Sequence, residues 1–408
     1  MIERNLTSAL LERAATFSVV TVSGPRQSGK TTLCRLAFPH HRRVTLESPD
    51  VREFASSDPR GFLASLPDGA VLDEVQRCPG LLSFLQEDVD ERPVPGRWIL
   101  TGSHNLLLMQ AVSQTLAGRT AILNLLPFSI GEMAQLAGEP RSWFDAAWRG
   151  GYPAPADRGH DQAAWLAAYV ASYVERDVRQ VIQVADLTTF QSFLRLCAGR
   201  AGQLLNLSQL GADVGVSHVT IKAWLSVLET TFVAFRLQPW FANLGKREVK
   251  TPKLYFWDTG LLCWLLGVRA AEELVTHPLR GAVFENLVAV ELMKEALHKG
   301  QTPNWFFYRD HAGLEVDFIR PGPATTVAIE VKSAATIASE FLAPLHRMAE
   351  MVAAGGGRLQ AAVVYGGQER QVRTGGEVLG WRAVERWVAS VGAPAGLQVP
   401  SVQFHPDV

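Results

Sequence analysis

Gly24-Pro-Arg-Gln-Ser-Gly-Lys-Thr31 carries the spacing G-x-x-x-x-G-K-[ST]. A loop of this kind curls its backbone N–H groups around phosphate oxygens, and the helix that follows aims its positive end at the same anion. Gly24, Pro25, Arg26, Gln27, Ser28, Gly29, Lys30, Thr31 and Thr32 are therefore the candidate phosphate contacts. Lys30 has the reach for β and γ phosphates, and the Thr31 hydroxyl suits a place on Mg2+. The context agrees: a strand is predicted over residues 17–23 and a helix over 29–38. Lys30 is also the only lysine in the first 221 residues, where every other fixed positive charge is arginine. A chain that avoids lysine yet keeps one here needs a compact ammonium at this place.

Outward from that loop, short β-branched runs alternate with helical stretches. Arg43-Val-Thr-Leu, Ala70-Val-Leu-Asp, Trp98-Ile-Leu-Thr-Gly and Ala121-Ile-Leu-Asn-Leu each read as a buried strand. Such alternation predicts an α/β core with a parallel sheet covered on both faces. Ala70-Val-Leu-Asp73-Glu74 ends its strand in two carboxylates. Asp73 suits support of Mg2+, and Glu74 suits orientation or deprotonation of an attacking water. The strand at 98–102 runs into Thr101-Gly-Ser103-His-Asn105, where Ser103 or Asn105 is placed to sense the γ phosphate.

With 408 residues the chain has length for two to four domains, at roughly 100–200 residues each. Its 47% apolar and 19% charged residues exclude a disordered, collagen-like or coiled-coil chain. A formal net charge of −1 excludes a polycation that coats nucleic acid. Cys34, Cys78, Cys197 and Cys263 show no C-x-x-C pairing, and no H-x-x-x-H spacing occurs, which speaks against a disulfide scaffold and a zinc site. Charges at Glu3, Arg4, Glu12 and Arg13 break any signal-peptide core, and no apolar run spans a bilayer. A soluble protein of the cytoplasm, without a membrane partner, is expected.

Past Gly138 the pattern turns helical to about residue 235. Within it, a helix capped near Asn206 or Ser208 turns at Gly215 into a second helix capped by Ser217, in helix-turn-helix rhythm. Leu207, Leu210, Val214, Ile221, Leu225 and Leu228 fall on the core side, and His218, Thr220 and Lys222 on the side where a recognition helix carries its contacts. Lys246, Arg247, Lys250 and Lys253 follow as a basic loop suited to phosphates of double-stranded DNA. Residues 1–140 hold 13 basic and 15 acidic groups, 141–265 hold 13 and 10, and 266–408 hold 13 and 15. The only positive third is thus the one with this helix pair.

The last third returns to β/α alternation, with strands at 305–309, 314–319, 327–331 and 361–365 and a helix built on Gly281-Ala-Val-Phe-Glu285. Strand alternation puts Glu330 and Lys332 on one face, with Ile329 and Val331 on the other. Paired strands lie about 4.8 Å apart, so Asp317 and Glu330 can clasp one Mg2+, with Lys332 beside a metal-activated water and Glu285 as a further ligand. That is the D…(D/E)-x-K arrangement of the restriction-endonuclease-like nucleases; an ordinary hairpin with a surface Glu–Lys pair is the plainer reading.

In this order the motifs resemble the prokaryotic AAA-type ATPases with a C-terminal domain of unknown function. The resemblance includes Leu46-Glu-Ser-Pro-Asp, Leu72-Asp-Glu-Val-Gln-Arg-Cys-Pro, Leu116-Ala-Gly-Arg119, Leu126-Pro-Phe-Ser, Gly150-Gly-Tyr-Pro, Tyr173-Val-Glu-Arg-Asp and Pro252-Lys-Leu-Tyr-Phe-Trp-Asp-Thr-Gly-Leu. His104 stands where that family usually has glutamine. The resemblance implies an AAA-like core over residues 1–140, a helical and winged-helix part over 141–265 and a restriction-endonuclease-like part over 266–408. It implies ATP and Mg2+ as cofactors, and Arg119 or Arg176 acting on the γ phosphate as sensor or finger, across a homo-oligomer contact if in trans. The expected function is an ATPase whose cycle controls a DNA-binding module and a metal-dependent nuclease-like domain, in DNA maintenance, mobile-element control or defence. The alternative is a slow ATP-dependent signalling switch or protein-interaction module with an inactive nuclease-like tail.

Overall fold

The computed structural model describes residues 2–102, 112, 115–174, 187–240 and 250–391. Its N-terminal sheet is wholly parallel, in the order β2-β3-β4-β1-β5. The strands are β1 (Val19–Ser23), β2 (Arg42–Thr45), β3 (Ala70–Asp73), β4 (Trp98–Thr101) and β5 (Thr120–Asn124). Period-two alternation divides their side chains between two cores. Val20, Val22, Val71, Ile99 and Leu123 pack with Leu6, Leu10 and Leu33 on one face. Val19, Leu72, Trp98 and Leu100 pack with Leu82, Leu85 and Val89 on the other. Because β4 lies between β1 and β3, the loop after β1 and the carboxylates ending β3 face each other across one intervening strand end.

Among the described residues the helices that follow include Ile130–Ala137, Trp143–Arg149, Pro153–Arg158, Gln162–Tyr169, Leu187–Ala198, Leu207–Val214 and His218–Thr230. The last two meet at Gly215, whose φ of +82° ends the first of them without a Cβ clash. Asn206 Oδ1 accepts from Gln209 N at 3.0 Å and Ser217 Oγ from Thr220 N at 3.1 Å, so each start is capped as its sequence indicates. Leu210, Ile221, Leu225 and Leu228 are buried, while His218 and Lys222 are exposed and Thr220 is half-buried. An antiparallel pair closes this part: β6 (Ala234–Leu237) and β7 (Lys253–Phe256). Sequence reading misses β6, whose four residues carry too short an alternation to stand out.

The C-terminal sheet is mixed, in the order β12-β13-β11-β10-β9-β8. Its strands are β8 (Phe306–Arg309), β9 (Glu315–Arg320), β10 (Thr325–Lys332), β11 (Arg358–Tyr365), β12 (Gln371–Arg373) and β13 (Gly376–Gly380). The helix Arg280–His298 packs against β10 and the helix Val384–Val391. Helix Ala343–Ala354 joins a separate core with Val316, Ile319, Ala328 and Val363. One apolar core runs from Leu126 to Val388, so the middle and C-terminal segments share it. Among the described residues no helix is long and apolar enough to cross a membrane.

Two of the signature blocks meet here. The buried Asp258 accepts from Gly151 N through Oδ2 and from Leu261 N through Oδ1, both at 2.7 Å. Gly150, at φ +65°, would put a Cβ 2.7 Å from Asp258 Oδ1, and a Cβ on Gly151 would lie 2.4 Å from the Phe128 carbonyl oxygen. Both glycines are therefore set by close approach. The staple fixes the start of helix Pro153–Arg158. Asp258→Ala would leave two buried N–H groups unpaired and is expected to cost about 2–4 kcal/mol in urea unfolding, with Asp258→Asn milder because one oxygen remains.

Candidate functional site

The phosphate loop is shaped by three residues in the left-handed region: Gly24 (φ +149°), Gln27 (φ +64°) and Gly29 (φ +93°). A Cβ on Gly24 would lie 2.1 Å from the Leu125 carbonyl oxygen, so the loop leaves β1 pressed against the end of β5. Helix Lys30–Ala37 begins immediately afterwards. Lys30 is buried, and its Nζ donates to the carbonyls of Gly24 (3.1 Å) and Pro25 (2.7 Å). Burial pulls its ammonium down to about 8, against the opposing pull of Glu74 and Asp73.

Thr31 and Asp73, 42 positions apart, are brought together: Thr31 Oγ1 donates to Asp73 Oδ2 at 3.0 Å. The Thr101 hydroxyl donates to the other carboxylate oxygen. In a continuing strand Asp73 and Glu74 would point to opposite faces. Glu74 instead adopts φ +57°, breaking the strand after Asp73, and lines the same cleft as Lys30 and Thr31. A non-glycine residue in this region costs on the order of 1 kcal/mol, and Gln76 holds the Glu74 carboxylate through its side-chain amide. The cleft measures about 360 Å3 and is lined by Arg26, Gln27, Gly29, Lys30, Thr31, Thr32, Glu47 and Glu74. Its far wall is Pro153, Ala154, Asp157 and Arg158 of the stapled helix. A triphosphate-sized anion fits a cleft with amides, one lysine and two arginines, and a hydroxyl beside a carboxylate suits Mg2+.

Behind the loop sits a residue that sequence reasoning misses. Arg4 is buried and donates Nη1 to the Ser28 carbonyl (2.8 Å), Nη2 to the Leu126 carbonyl (2.7 Å) and Nε to Glu132 (3.0 Å). Amide C=O and N–H point in opposite directions in a trans peptide. By pulling the Ser28 carbonyl backward, Arg4 turns the Gly29 N–H away from itself, toward the inside of the loop. Glu132 also caps its own helix through Ser129. Nothing local in the sequence links Arg4 to residues 28, 126 and 132; the link exists only in the fold.

Arg119 is found elsewhere. It directly precedes β5, with Thr120 paired to Val19 at the start of β1, so it lies at the sheet end opposite the phosphate loop. Asp90 accepts from its Nη2 at 2.8 Å. Arg119 thus stands apart from the phosphate loop of its own chain. Arg158 and Arg26 are the arginines that line the cleft. Ser103, Asn105, Arg176, Lys246 and Arg247 lie outside the described residues. Lys250 is exposed.

The C-terminal carboxylates do converge. Ile329 pairs with Phe318, which sets Glu330 beside Asp317 on adjacent strands. Lys332 Nζ donates to Glu330 Oε1 at 2.6 Å, and Asp317 Oδ2 accepts from Val331 N at 2.8 Å. Burial, then Asp317, push Glu330 up to about 8 and Glu285 up to about 7. Lys253 requires a correction: it is no part of a solvated basic loop but is buried on β7. Its Nζ lies 3.0 Å from Glu285 Oε1, 2.8 Å from Glu315 Oε1 and 3.7 Å from Asp317 Oδ1. Burial works against its charge, but those carboxylates raise its pKa on balance. Tyr255 donates to the same Glu285 oxygen at 2.5 Å. Among the described residues no three His, Cys, Asp or Glu side chains are arranged to hold a metal ion. The residues present thus fit an ammonium better than Mg2+.

Compared with known proteins, residues 16–134 match the model of an AAA domain. Residues 140–272 and 280–384 match two domains of unknown function, DUF8612 and DUF4143. The uncharacterized protein Rv2008c of Mycobacterium tuberculosis is 33% identical over 341 residues, 82% of this chain and 75% of that protein. The uncharacterized protein Mb2031c of Mycobacterium bovis matches to the same extent, 33% over 341 residues. Among solved structures, the Walker-type ATPase PABY2304 of Pyrococcus abyssi is similar at 15% identity and TM-score 0.41, over 65% of this chain and 96% of that one. AMPPCP-bound DnaA from Aquifex aeolicus is similar at 13% and TM-score 0.26, over 55% and 85%.

Proposed function

The chain belongs to the family of these mycobacterial proteins and carries an AAA-type P-loop domain, and from that premise we propose that it binds and hydrolyses ATP to control a DNA-contacting middle segment. The observation that carries this reading is the meeting of Lys30, Thr31, Asp73 and Glu74 at one cleft. The loop amides and Lys30 hold phosphate oxygens; an incoming phosphate competes with the Gly24 and Pro25 carbonyls for the ammonium. Thr31 and Asp73 would hold Mg2+, which supplies charge neutralisation on the β and γ phosphates. Glu74 orients the attacking water and takes its proton. Arg26 and Arg158 face the phosphates from opposite walls, and Ser103 or Asn105 completes the sensing. Arg119, or else Arg176, would act across a homo-oligomer contact.

In this reading residues 1–140 are the ATPase, 141–265 the helical and winged-helix part, and 266–408 a nuclease-like part. His218, Thr220 and Lys222 present the exposed start of the second helix to a DNA groove, and Lys246, Arg247 and Lys250 bind phosphates. Mg2+ held by Glu285, Asp317 and Glu330, with Lys332 on the water, would make the last part a nuclease. The position of Lys253 favours the second reading, a switch whose nuclease-like tail does not cleave.

ATP turnover measured with and without duplex DNA, alongside DNA affinity from 50 to 200 mM salt, tests the scheme. Affinity that falls steeply with salt and drops further in Lys222→Ala is expected. No binding at the lowest salt would leave the ATP switch alone.

A further inference from the structure

We propose that Lys253 is the resident cation of the C-terminal carboxylate cluster: a tethered ammonium from the middle segment stands where a divalent ion would sit and latches the two segments together. The cluster has two features that an ordinary acidic patch lacks. Lys253 is 2% exposed and touches three carboxylates from two elements, namely Glu285 on the long helix and Glu315 and Asp317 on β9. Glu330, 5% exposed, keeps a buried Oε2 with no hydrogen-bond partner among the described residues, while its Oε1 is held by Lys332.

Charge arithmetic points the same way. With every group ionised, Glu285, Glu315, Asp317 and Glu330 bring four negative charges; Lys253, Lys332 and Arg309, which pairs with Glu315 at 3.2 Å, bring three positive ones. A divalent ion held by the same carboxylates would lie beside the buried Lys253 ammonium, and that like-charge contact is unfavourable at these separations. It enters favourably only where Lys253 leaves. Withdrawal is restrained by backbone as well as charge: Lys253 pairs with Leu237 on β6 and bridges Leu204. A Cβ on Gly202 would sit 3.4 Å from Glu285 Oε2, so the turn before the helix pair also covers the cluster. The turn and β7 that cover the carboxylates flank the helix pair proposed to meet DNA. The latch therefore joins the nuclease-like carboxylates to the DNA-facing segment. It rests on that layout but not on ATP turnover.

The experiment is Mn2+ titration of the full-length, nucleotide-free protein by calorimetry, for wild type, Lys253→Met, Asp317→Asn and Lys253→Met with Asp317→Asn. Expected is a Mn2+ site in Lys253→Met at least about tenfold tighter than anything in wild type, lost in the double variant. Wild type is expected to show no Mn2+ site that Asp317→Asn removes, and no change in its unfolding midpoint with EDTA. A wild-type site removed by Asp317→Asn overturns the proposal, and this arm decides even if Lys253→Met fails to fold. A folded Lys253→Met that gains no Mn2+ site overturns it as well. Failure of the ATPase reading shows in turnover, which none of these titrations measures.

Discussion

Lys30→Ala should lower ATP turnover by about 10^2–10^3-fold, the range for removing one preorganised charge from a site of phosphoryl transfer. The side chain is buried and already bonded to two loop carbonyls, so alanine removes both the charge and the clasp that closes the loop. ATP affinity should fall as well, because Lys30 is the one lysine that lines the cleft among the described residues. Turnover in a coupled assay, beside fluorescent-nucleotide binding, separates the two losses. Wild-type turnover in the variant would end the ATPase assignment. The wild type adds a pH signature. With the ammonium drawn down to about 8, the nucleotide-free site is charged at neutral pH and loses its charge as pH rises through 8. Bound phosphate favours the charged form, so ATP affinity should weaken above pH 8 and hold below it. Lys30→Ala should show no such slope.

The second large effect is on stability. Arg4→Ala strands Glu132, which is fully buried, without its ion-pair partner at 3.0 Å. Breaking one side of a buried pair costs about 3–5 kcal/mol, measurable as a shift of the urea midpoint. The pH dependence follows from the carboxylate. Burial pushes Glu132 up, but Arg4 and His298 hold it on balance below the usual glutamate range. A depressed carboxylate contributes stability above its unfolded pKa and loses it as pH falls through the folded one. In the variant the stranded carboxylate is relieved by protonation. The gap between wild type and Arg4→Ala should thus be widest near pH 7 and narrow toward pH 4. A structural role alone would stop there. Because Arg4 also holds the Ser28 carbonyl, ATP affinity should fall about tenfold in the folded variant, and Arg4→Lys should restore stability more than affinity. Equal affinity in Arg4→Ala and wild type would remove Arg4 from the nucleotide machinery.

How far the chain could be read in advance depends on how local each signal is. β1 to β5 are legible because five short apolar runs, each ended by a turn or polar residue, match the strands within one or two residues. The Asn206 and Ser217 caps and Gly215 are legible for the same reason: capping is decided within four residues. Glu330 and Lys332 share a face by strand alternation, whereas the register that sets Asp317 beside Glu330 comes from the fold. What escapes is what the fold brings together from afar. Lys253 has acidic and aromatic partners 32 to 64 positions away, and in sequence it stands among basic neighbours that suggest solvent. Arg4 meets residues 28, 126 and 132. Arg119 was placed by resemblance, and only strand register shows which end of the sheet it occupies. The short β6 and β12 take their identity from their partners rather than from their own residues.

The helix Arg280–His298 acts as a strut between two chemistries. Near its start it carries Glu285; nine residues on, about 13 Å along its axis, Lys294 donates to the Phe128 carbonyl at 2.6 Å. Glu291, between them, accepts from Ile130 N at 3.0 Å. Phe128 and Ile130 follow closely on Leu126, whose carbonyl Arg4 holds together with the phosphate loop. The hydrogen-bonded helix thus sets the distance between Glu285 and Lys294. Inserting or deleting a single residue between 285 and 291 would rotate one end by about 100° relative to the other, so Glu285 and Lys294 could no longer both meet their partners.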